Sequence, residues 1–279
     1  AMHSSPSFDP NLFLFGINHD DWQLIRNNPL KPLVNKTLSG LYSPGSTIKP
    51  IVALAALEND VISTNFKVNC TGKIEMYGQT YHCWKKKGHG VVNLKDAMKQ
   101  SCDTYFYEIA RKLGVDRLKK TAVKFGLGEK VLEENFGNEK RGLVPDTEWK
   151  KNNLGKGWVL GETLITGIGQ GYLQTTPLQL CLMTAQLANG GYKIYPRIIS
   201  KEDDETLEEI KYQIEKNSKE AAEEKDGITE AGEQLLSFIK EKKHESLCRN
   251  PENIKFILQA MFASTNEIRG TSYSSRIED

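Results

Sequence analysis

Hydrophobic positions are spread unevenly along the chain, and the unevenness marks the elements. The run Ile51-Val52-Ala53-Leu54-Ala55-Ala56-Leu57 follows Thr47-Ile48-Lys49-Pro50. It is apolar on nearly every side, which predicts a buried helix rather than a surface one. Pro50 is compatible with that helix because it lies in the first turn, where N–H groups lack intrahelical partners. Asn93 to Gly114 carries helical spacing over one or two helices, with Gly114 as the stop. Thr176 and Pro177 read as N-cap and first residue of a helix that runs to Asn189-Gly190-Gly191. Shorter helices are predicted from Asp20 to Asn27 and from Asn253 to Thr265. Residues 66–92 predict short strands and turns, and Tyr192 to Ser200 alternates as a strand does. The first 40 residues are loop-rich, with turn signals at Asp9-Pro10-Asn11 and Asn28-Pro29. Glycine-rich connections fill 126–171, and 201–247 is rich in Lys and Glu with helical periodicity in parts. No internal repeat is visible.

Composition narrows the class. At 279 residues, 38% hydrophobic and 26% charged, the chain is long enough for one large domain with a real core. A formal net charge of +1 gives no electrostatic reason to expect nucleic acid. No run of about 18 apolar residues marks a membrane span. The opening Ala1-Met2-His3-Ser4-Ser5-Pro6 has no apolar leader, and the chain stops at Arg276-Ile277-Glu278-Asp279. Both ends suggest a piece of a longer protein whose anchor lies elsewhere.

Candidate chemistry begins at the buried helix. Ser46-Thr47-Ile48-Lys49 is an S-x-x-K tetrad, and residues three apart on a helix share a face. A serine hydroxyl needs a base to attack, and a lysine can be that base when burial favours its neutral form. The bland reading makes Ser46 an N-cap and Lys49 a surface lysine. Ser101-x-Asp103 lies 55 residues beyond Ser46. A second hydroxyl and a carboxylate on a facing loop would relay protons, whereas both residue types also cap helices.

Five cysteines, Cys70, Cys83, Cys102, Cys181 and Cys248, are an odd set for a disulfide framework. Cys70, Cys83, His89 and Cys102 are separated by 13, 6 and 13 residues. Thiolates and imidazole are the usual zinc ligands, yet no tight C-x-x-C knuckle is present. Buried free thiols and a disulfide remain open alternatives. Cys181 sits in Leu178-Gln179-Leu180-Cys181-Leu182-Met183 and is expected in the core. Trp84, Trp149 and Trp158 either line a cleft or pack, with packing the preferred reading, and Lys85-Lys86-Lys87 is expected to form a solvated loop. Gly167-Ile168-Gly169-Gln170-Gly171 lacks the lysine of a phosphate loop and is expected to serve close backbone packing.

S-x-x-K followed by S-x-N/D is the signature of the serine penicillin-recognising enzymes. The chain resembles the transpeptidase domain of class B penicillin-binding proteins, in particular their elongation-specific branch. The resemblance is carried by Pro6-Ser7-Phe8-Asp9-Pro10-Asn11, Pro32-Leu33-Val34-Asn35-Lys36, Tyr42-Ser43-Pro44-Gly45-Ser46-Thr47-Ile48-Lys49-Pro50, Trp84-Lys85-Lys86-Lys87-Gly88-His89-Gly90, Ser101-Cys102-Asp103-Thr104-Tyr105-Phe106-Tyr107 and Gly167-Ile168-Gly169-Gln170-Gly171-Tyr172. No match is seen over 201–247, which is expected to be divergent or inserted.

The resemblance implies an α/β fold of the penicillin-binding protein transpeptidase and serine β-lactamase type. Such a fold has an antiparallel sheet flanked by helices and a mostly helical lobe, with the site at their junction. It implies a D,D-transpeptidase acting on peptidoglycan stem peptides. Ser46 would be the nucleophile, Lys49 its base, Ser101 the proton shuttle and Asp103 the positioning carboxylate. β-Lactams would acylate Ser46. Some members carry a structural zinc beside the second motif, held by Asp, Cys and His. The matching positions are Cys70, Cys83, His89 and Cys102, with His82 a weaker substitute. The resemblance also implies a periplasmic location behind an N-terminal inner-membrane anchor. The partners it implies are a membrane glycosyltransferase and other elongation-complex proteins.

A third family element, K-[ST]-G, follows Ser101 nowhere in this sequence. Residues 1–279 therefore read as one transpeptidase domain truncated before that strand, with weak activity expected of this polypeptide. Two other function classes share parts of the pattern. A β-lactamase or β-lactam sensor would differ in deacylation rate, and a non-catalytic elongation scaffold would tolerate loss of Ser46.

Overall fold

The apolar run after Pro50 forms the centre of the molecule. A computed structural model describes residues 2–132, 138–196 and 245–276. In it, helix α3 (Lys49–Glu58) follows α1 (His19–Asn27) and α2 (Lys36–Ser39). Every residue from Ile51 to Ala56 on α3 is fully buried. A helix with no polar face must be covered on all sides. Helices α5 (Asp103–Leu113), α6 (Val115–Lys124) and α10 (Pro251–Asn266) cover it.

The start of α3 departs from the predicted one. Gly45–Ile48 is a 3-10 turn, and the α-helix begins only at Lys49. Pro50 is the cause: it has no N–H to give the Ser46 carbonyl, so the Lys49 N–H takes that acceptor one residue early.

Four short strands precede the helical half. β1 (Val68–Cys70) pairs antiparallel with β4 (Gly90–Val92), setting Cys70 opposite Gly90. β2 (Lys73–Met76) and β3 (Gln79–His82) form a hairpin through Tyr77-Gly78, both at positive φ, as a two-residue hairpin turn of the favoured twist demands. The helix-and-strand mixture of the expected α/β class is present. Among the described residues the strands form two antiparallel ribbons rather than one wide sheet.

The predicted helical stretch from 93 to 114 is two helices, α4 (Leu94–Lys99) and α5, broken at Gln100-Ser101-Cys102. Beyond α6 come α7 (Thr147–Leu154), α8 (Leu160–Thr166) and α9 (Pro177–Ala188). Thr176 caps α9 with its hydroxyl, and Gln179 returns the contact to the Thr176 N–H. Two expectations fail here. Cys181 is exposed, not core. The 3.6-residue period turns Gln179, Leu182, Met183, Gln186 and Leu187 inward, and the glutamine amide of residue 179 is bonded to the Glu129 and Arg141 carbonyls. Tyr192 to Ser200 is not a described strand. Tyr192 makes one bridge to Ser246, while the Asn189 side chain takes both its N–H and its carbonyl. Residues 197–200 and most of the Lys/Glu-rich stretch lie outside the described residues. No helix among the described residues is long and apolar enough to cross a membrane.

Candidate active site and the adjoining thiol cluster

Two sets of side chains meet at residues 101–104. The first centres on Lys49. Burial of α3 leaves that lysine only 3% exposed, so its amine must find partners inside the protein. It finds three: Asp103 Oδ1 at 2.7 Å, Ser101 Oγ at 2.9 Å and the Ser101 carbonyl at 3.0 Å. Ser101 Oγ in turn donates to Ser46 Oγ at 3.1 Å. The link between Ser46 and Lys49 thus passes through Ser101, not across the single helical turn that the S-x-x-K spacing suggests. Neither capping alternative describes these residues. Lys49 is buried, and the α5 N-cap is Cys102, with no side-chain cap bond.

Ser101 holds its place by an unusual backbone. The Cys102 N–H reaches back to the Ala97 carbonyl and the Ser101 N–H to that of Met98, a helix ending in which the residue at position 101 must be left-handed. Glycine is the usual occupant. Here Ser101 stands at φ +51°. Strain of this kind gathers where surrounding structure enforces it at a working site. The glycine-rich stretch contributes close approach, as expected. Gly169 accepts from the Gly45 N–H, and a Cβ on it would fall 2.0 Å from the Gly45 carbonyl oxygen.

An open cleft of about 940 Å³ lies over Ser46, lined also by Ser101, Asp103, Gln170, Trp84 and Arg269. Of the two readings of Trp84, the cleft one holds rather than the preferred packing: it is 59% exposed and borders this cleft. Its backbone N–H donates to Asp103 Oδ2 at 3.0 Å, so the carboxylate is held at both oxygens. Nothing in residue type announces such use of a main-chain amide. Trp149 instead packs on Tyr172, with centroids 5.2 Å apart, and Lys85 to Lys87 are exposed.

The second set lies behind the loop. Cys70, Cys83, His89 and Cys102 bring their ligand atoms within 4.8 Å of one another, with all three thiols buried. The ribbons and two glycines produce this. A Cβ on Gly88 would fall 2.1 Å from the Cys70 carbonyl oxygen, and one on Gly72 the same distance from that of Lys86. Only glycine lets the 84–90 segment cross so close to β1, delivering Cys83 and His89 to Cys70. His89 Nδ1 stands 3.5 Å from both Cys70 Sγ and Cys83 Sγ. The Cys70 thiol donates to the Thr104 hydroxyl oxygen at 3.3 Å. The Cys102 thiol bonding to Cys83 pulls the Cys83 thiol well below its ordinary range, and the same contact together with burial pushes Cys102 up. His82 is exposed and stands apart from the cluster, lining the cleft.

The donor set fits zinc. Bonds of about 2.0 Å to nitrogen and 2.3 Å to sulfur at tetrahedral angles separate N and S ligands by about 3.5 Å. That is the separation His89 Nδ1 keeps from two of the sulfurs.

Comparison with known proteins follows the same lines. Residues 1–231 match the family model of the penicillin binding protein transpeptidase domain, which extends into the 201–247 stretch. The peptidoglycan D,D-transpeptidase MrdA of Acinetobacter baumannii is 41% identical over 201 residues, covering 71% of this chain and 30% of that protein. The chain thus spans about a third of the length of this curated relative. Pseudomonas aeruginosa PBP2, solved in complex with WCK 5153, superposes with a TM-score of 0.76 at 36% identity, over 98% of this chain and 55% of that one. Helicobacter pylori PBP2, solved in complex with MreC, superposes at 0.78 with 29% identity, over 98% and 44%. The motif order, the fold and a family match over most of the chain agree: this chain belongs to the penicillin binding protein transpeptidase domain family.

Proposed function

We propose that this domain forms a Ser46 acyl-enzyme with the D-Ala–D-Ala end of a peptidoglycan stem peptide and passes the acyl group to a neighbouring strand. One observation carries the reading: Ser101 Oγ touches both Ser46 Oγ and Lys49 Nζ. In the forward step Ser46 Oγ bonds to the penultimate D-alanine carbonyl carbon. Its proton crosses the Ser101 hydroxyl to Lys49, which serves as the base, and Asp103 stabilises the charge that lysine then carries. The Ser46 amide lies in the first turn of its 3-10 segment, where N–H groups lack intrahelical acceptors, and it would donate to the developing oxyanion. The C–N bond then breaks, and the proton returns through Ser101 to the departing D-alanine. An amine from a second strand attacks the ester, forms the cross-link and frees Ser46.

The residues Cys70, Cys83, His89 and Cys102 would hold a structural zinc ion. Bound there, the metal supplies a closed four-ligand anchor and no reacting group. The protein's own contribution is Cys102, which ties that anchor to the loop presenting Ser101 and Asp103. We place the domain at the periplasmic face of the inner membrane. The complex of the Helicobacter pylori relative with MreC supports a partner of that kind for this domain, and we propose a membrane glycosyltransferase as a further one.

The test is intact-mass analysis of the full-length protein with benzylpenicillin. One adduct per chain, mapped to the Ser46 peptide and slow to hydrolyse, is expected. A protein that takes no adduct overturns the reading. Metal analysis of the same sample is expected to give about one zinc per chain.

A further inference from the structure

The left-handed Ser101 raises a question that the motif does not answer: what holds a serine where glycine belongs? Its own helix ending supplies two N–H bonds, from Ser101 and Cys102. The Cys102 N–H shares a rigid peptide plane with the Ser101 carbonyl and so sets its direction, but neither bond pins the carbonyl oxygen itself, which also accepts from Lys49. The Trp84 indole fixes it. Trp84 Nε1 donates to the Ser101 carbonyl at 3.1 Å and to the Gln100 carbonyl at 3.1 Å. The Ser101 oxygen therefore carries two donors, the indole on one lone pair and Lys49 Nζ on the other. At its other end Trp84 meets the thiol cluster. Its ring stands edge-on to His89, with centroids 5.4 Å apart, and it follows Cys83 directly in sequence. Its main-chain N–H holds Asp103.

We infer that Trp84 is a positioning residue: its indole N–H locks the strained Ser101 peptide and so keeps the Ser101 hydroxyl between Ser46 and Lys49. A residue 59% exposed beside a substrate cleft invites the simpler assignment of ligand contact. The hydrogen bonds argue otherwise, because both indole bonds run to the protein. Loss of the indole leaves the strained Ser101 peptide to its helix ending and Lys49 alone, and the hydroxyl is held less closely between Ser46 and Lys49.

The inference rests on the acyl-enzyme reading, and the test separates the two. In the full-length protein, Trp84→Phe keeps the ring on His89 and the main-chain N–H on Asp103 and removes only the indole donor. Stopped-flow acylation with a fluorescent penicillin resolves the dissociation constant of the non-covalent complex from the first-order acylation rate. The expected result is a fall in the acylation rate of about tenfold, the scale of one hydrogen bond. The dissociation constant and metal content stay as in wild type. In nuclear magnetic resonance spectra, the indole N–H signal that vanishes in Trp84→Phe is expected to exchange slowly with solvent despite its exposed ring. An unchanged rate overturns the inference. So does a weakened dissociation constant with the rate intact, which makes Trp84 a ligand contact. Loss of metal in Trp84→Phe, or fast exchange of that N–H, also overturns it. A wild-type protein that takes no penicillin overturns the acyl-enzyme reading and this inference with it.

Discussion

The two faces of the 101–104 loop are built on opposite plans. On the cleft face the side chains that carry the chemistry are answered by one another. Lys49 has three acceptors, Asp103 is held at both oxygens, and Ser101 links the lysine to Ser46. On the rear face three buried thiols and an imidazole crowd one another, with one hydroxyl oxygen accepting from Cys70, and His89 Nε2 is buried with no partner among the described residues. The first face is complete in protein atoms and is suited to moving a proton. The second concentrates soft donors with little else to satisfy them, which suits a metal. A reactive loop that must stay left-handed at Ser101 gains from a rigid backing that takes no part in the chemistry.

If the plans differ, removing the nucleophile should touch only one face. Ser46→Ala is expected to abolish the penicillin adduct, a loss of roughly 10⁶ in rate for a hydroxyl nucleophile. Zinc content and melting temperature should match wild type, since the lost hydroxyl borders the open cleft. Intact mass and metal analysis on one sample check both. Loss of zinc in this variant would show the two faces to be one unit.

The converse experiment should not be so clean, because Cys102 belongs to the loop itself. Cys102→Ala, or removal of metal by a chelator, is expected to empty the cluster and lower the melting temperature by about 10 °C, the scale of a ligand lost at a thousandfold its dissociation constant. Penicillin acylation should slow as well. Metal lost with acylation unchanged would make the faces mere neighbours.

A finer cut tests the rear face alone. Thr104 is buried, and its hydroxyl bonds to Cys70 Sγ. Thr104→Val keeps its shape and removes the hydroxyl partner of Cys70. The expected effect is about a tenfold weaker zinc affinity in competition with a chromophoric chelator, as for other groups that orient metal ligands. Equal affinity would show that the thiolate needs no help from Thr104.

The same contrast governs what could be read from the sequence. Ser46 and Lys49 are legible because helical spacing and an all-apolar run are local facts. Ser101 and Asp103 are legible as a pair for the same reason. What escapes is whatever one part of the chain does for another. The S-x-x-K spacing says that Ser46 and Lys49 share a face, but the bridge through Ser101 depends on how α3 meets the 101–103 loop. Ser101 carries no glycine to announce its left-handed backbone. Trp84 looks like packing material because its main-chain N–H is invisible in residue type. Cys181 looks like core because a window of apolar residues does not say which side of α9 faces in, and the buried Gln179 decides it. The cluster of Cys70, Cys83, His89 and Cys102 is legible only as residue types. Its convergence needs the β1–β4 pairing and the crossing at Gly72 and Gly88.

The smallest test concerns how the cleft face is closed at its rim. After α10, Glu267 pairs with Lys95 at 2.7 Å and Lys99 at 3.0 Å, both on α4, and the Thr271 N–H bonds to the Lys99 carbonyl at 3.0 Å. These contacts set Arg269 and Thr271 at the cleft edge. Hydrogen bonds from Lys95 and then Lys99 hold the Glu267 carboxyl below its ordinary value of 4.5, and the Glu267 contact raises Lys99 above 10.5. The signs follow from linkage. A depressed carboxyl stabilises fully above about pH 4.5 and loses that contribution as pH falls through its lower folded value. A raised lysine stabilises fully below about pH 10.5 and loses it above. The clamp is therefore constant near neutrality and opens in acid. Glu267→Gln should lower the melting temperature at pH 7 by only about 1–2 °C, as exposed ion pairs do. The difference from wild type should shrink toward zero as the pH drops below 4.5, because there the wild type loses what the variant never had. A gap that persists unchanged into acid would mean that Glu267 holds the rim by shape rather than charge. The rim would then resemble the rear face of the loop, fixed by packing, and not the cleft face, fixed by paired charges.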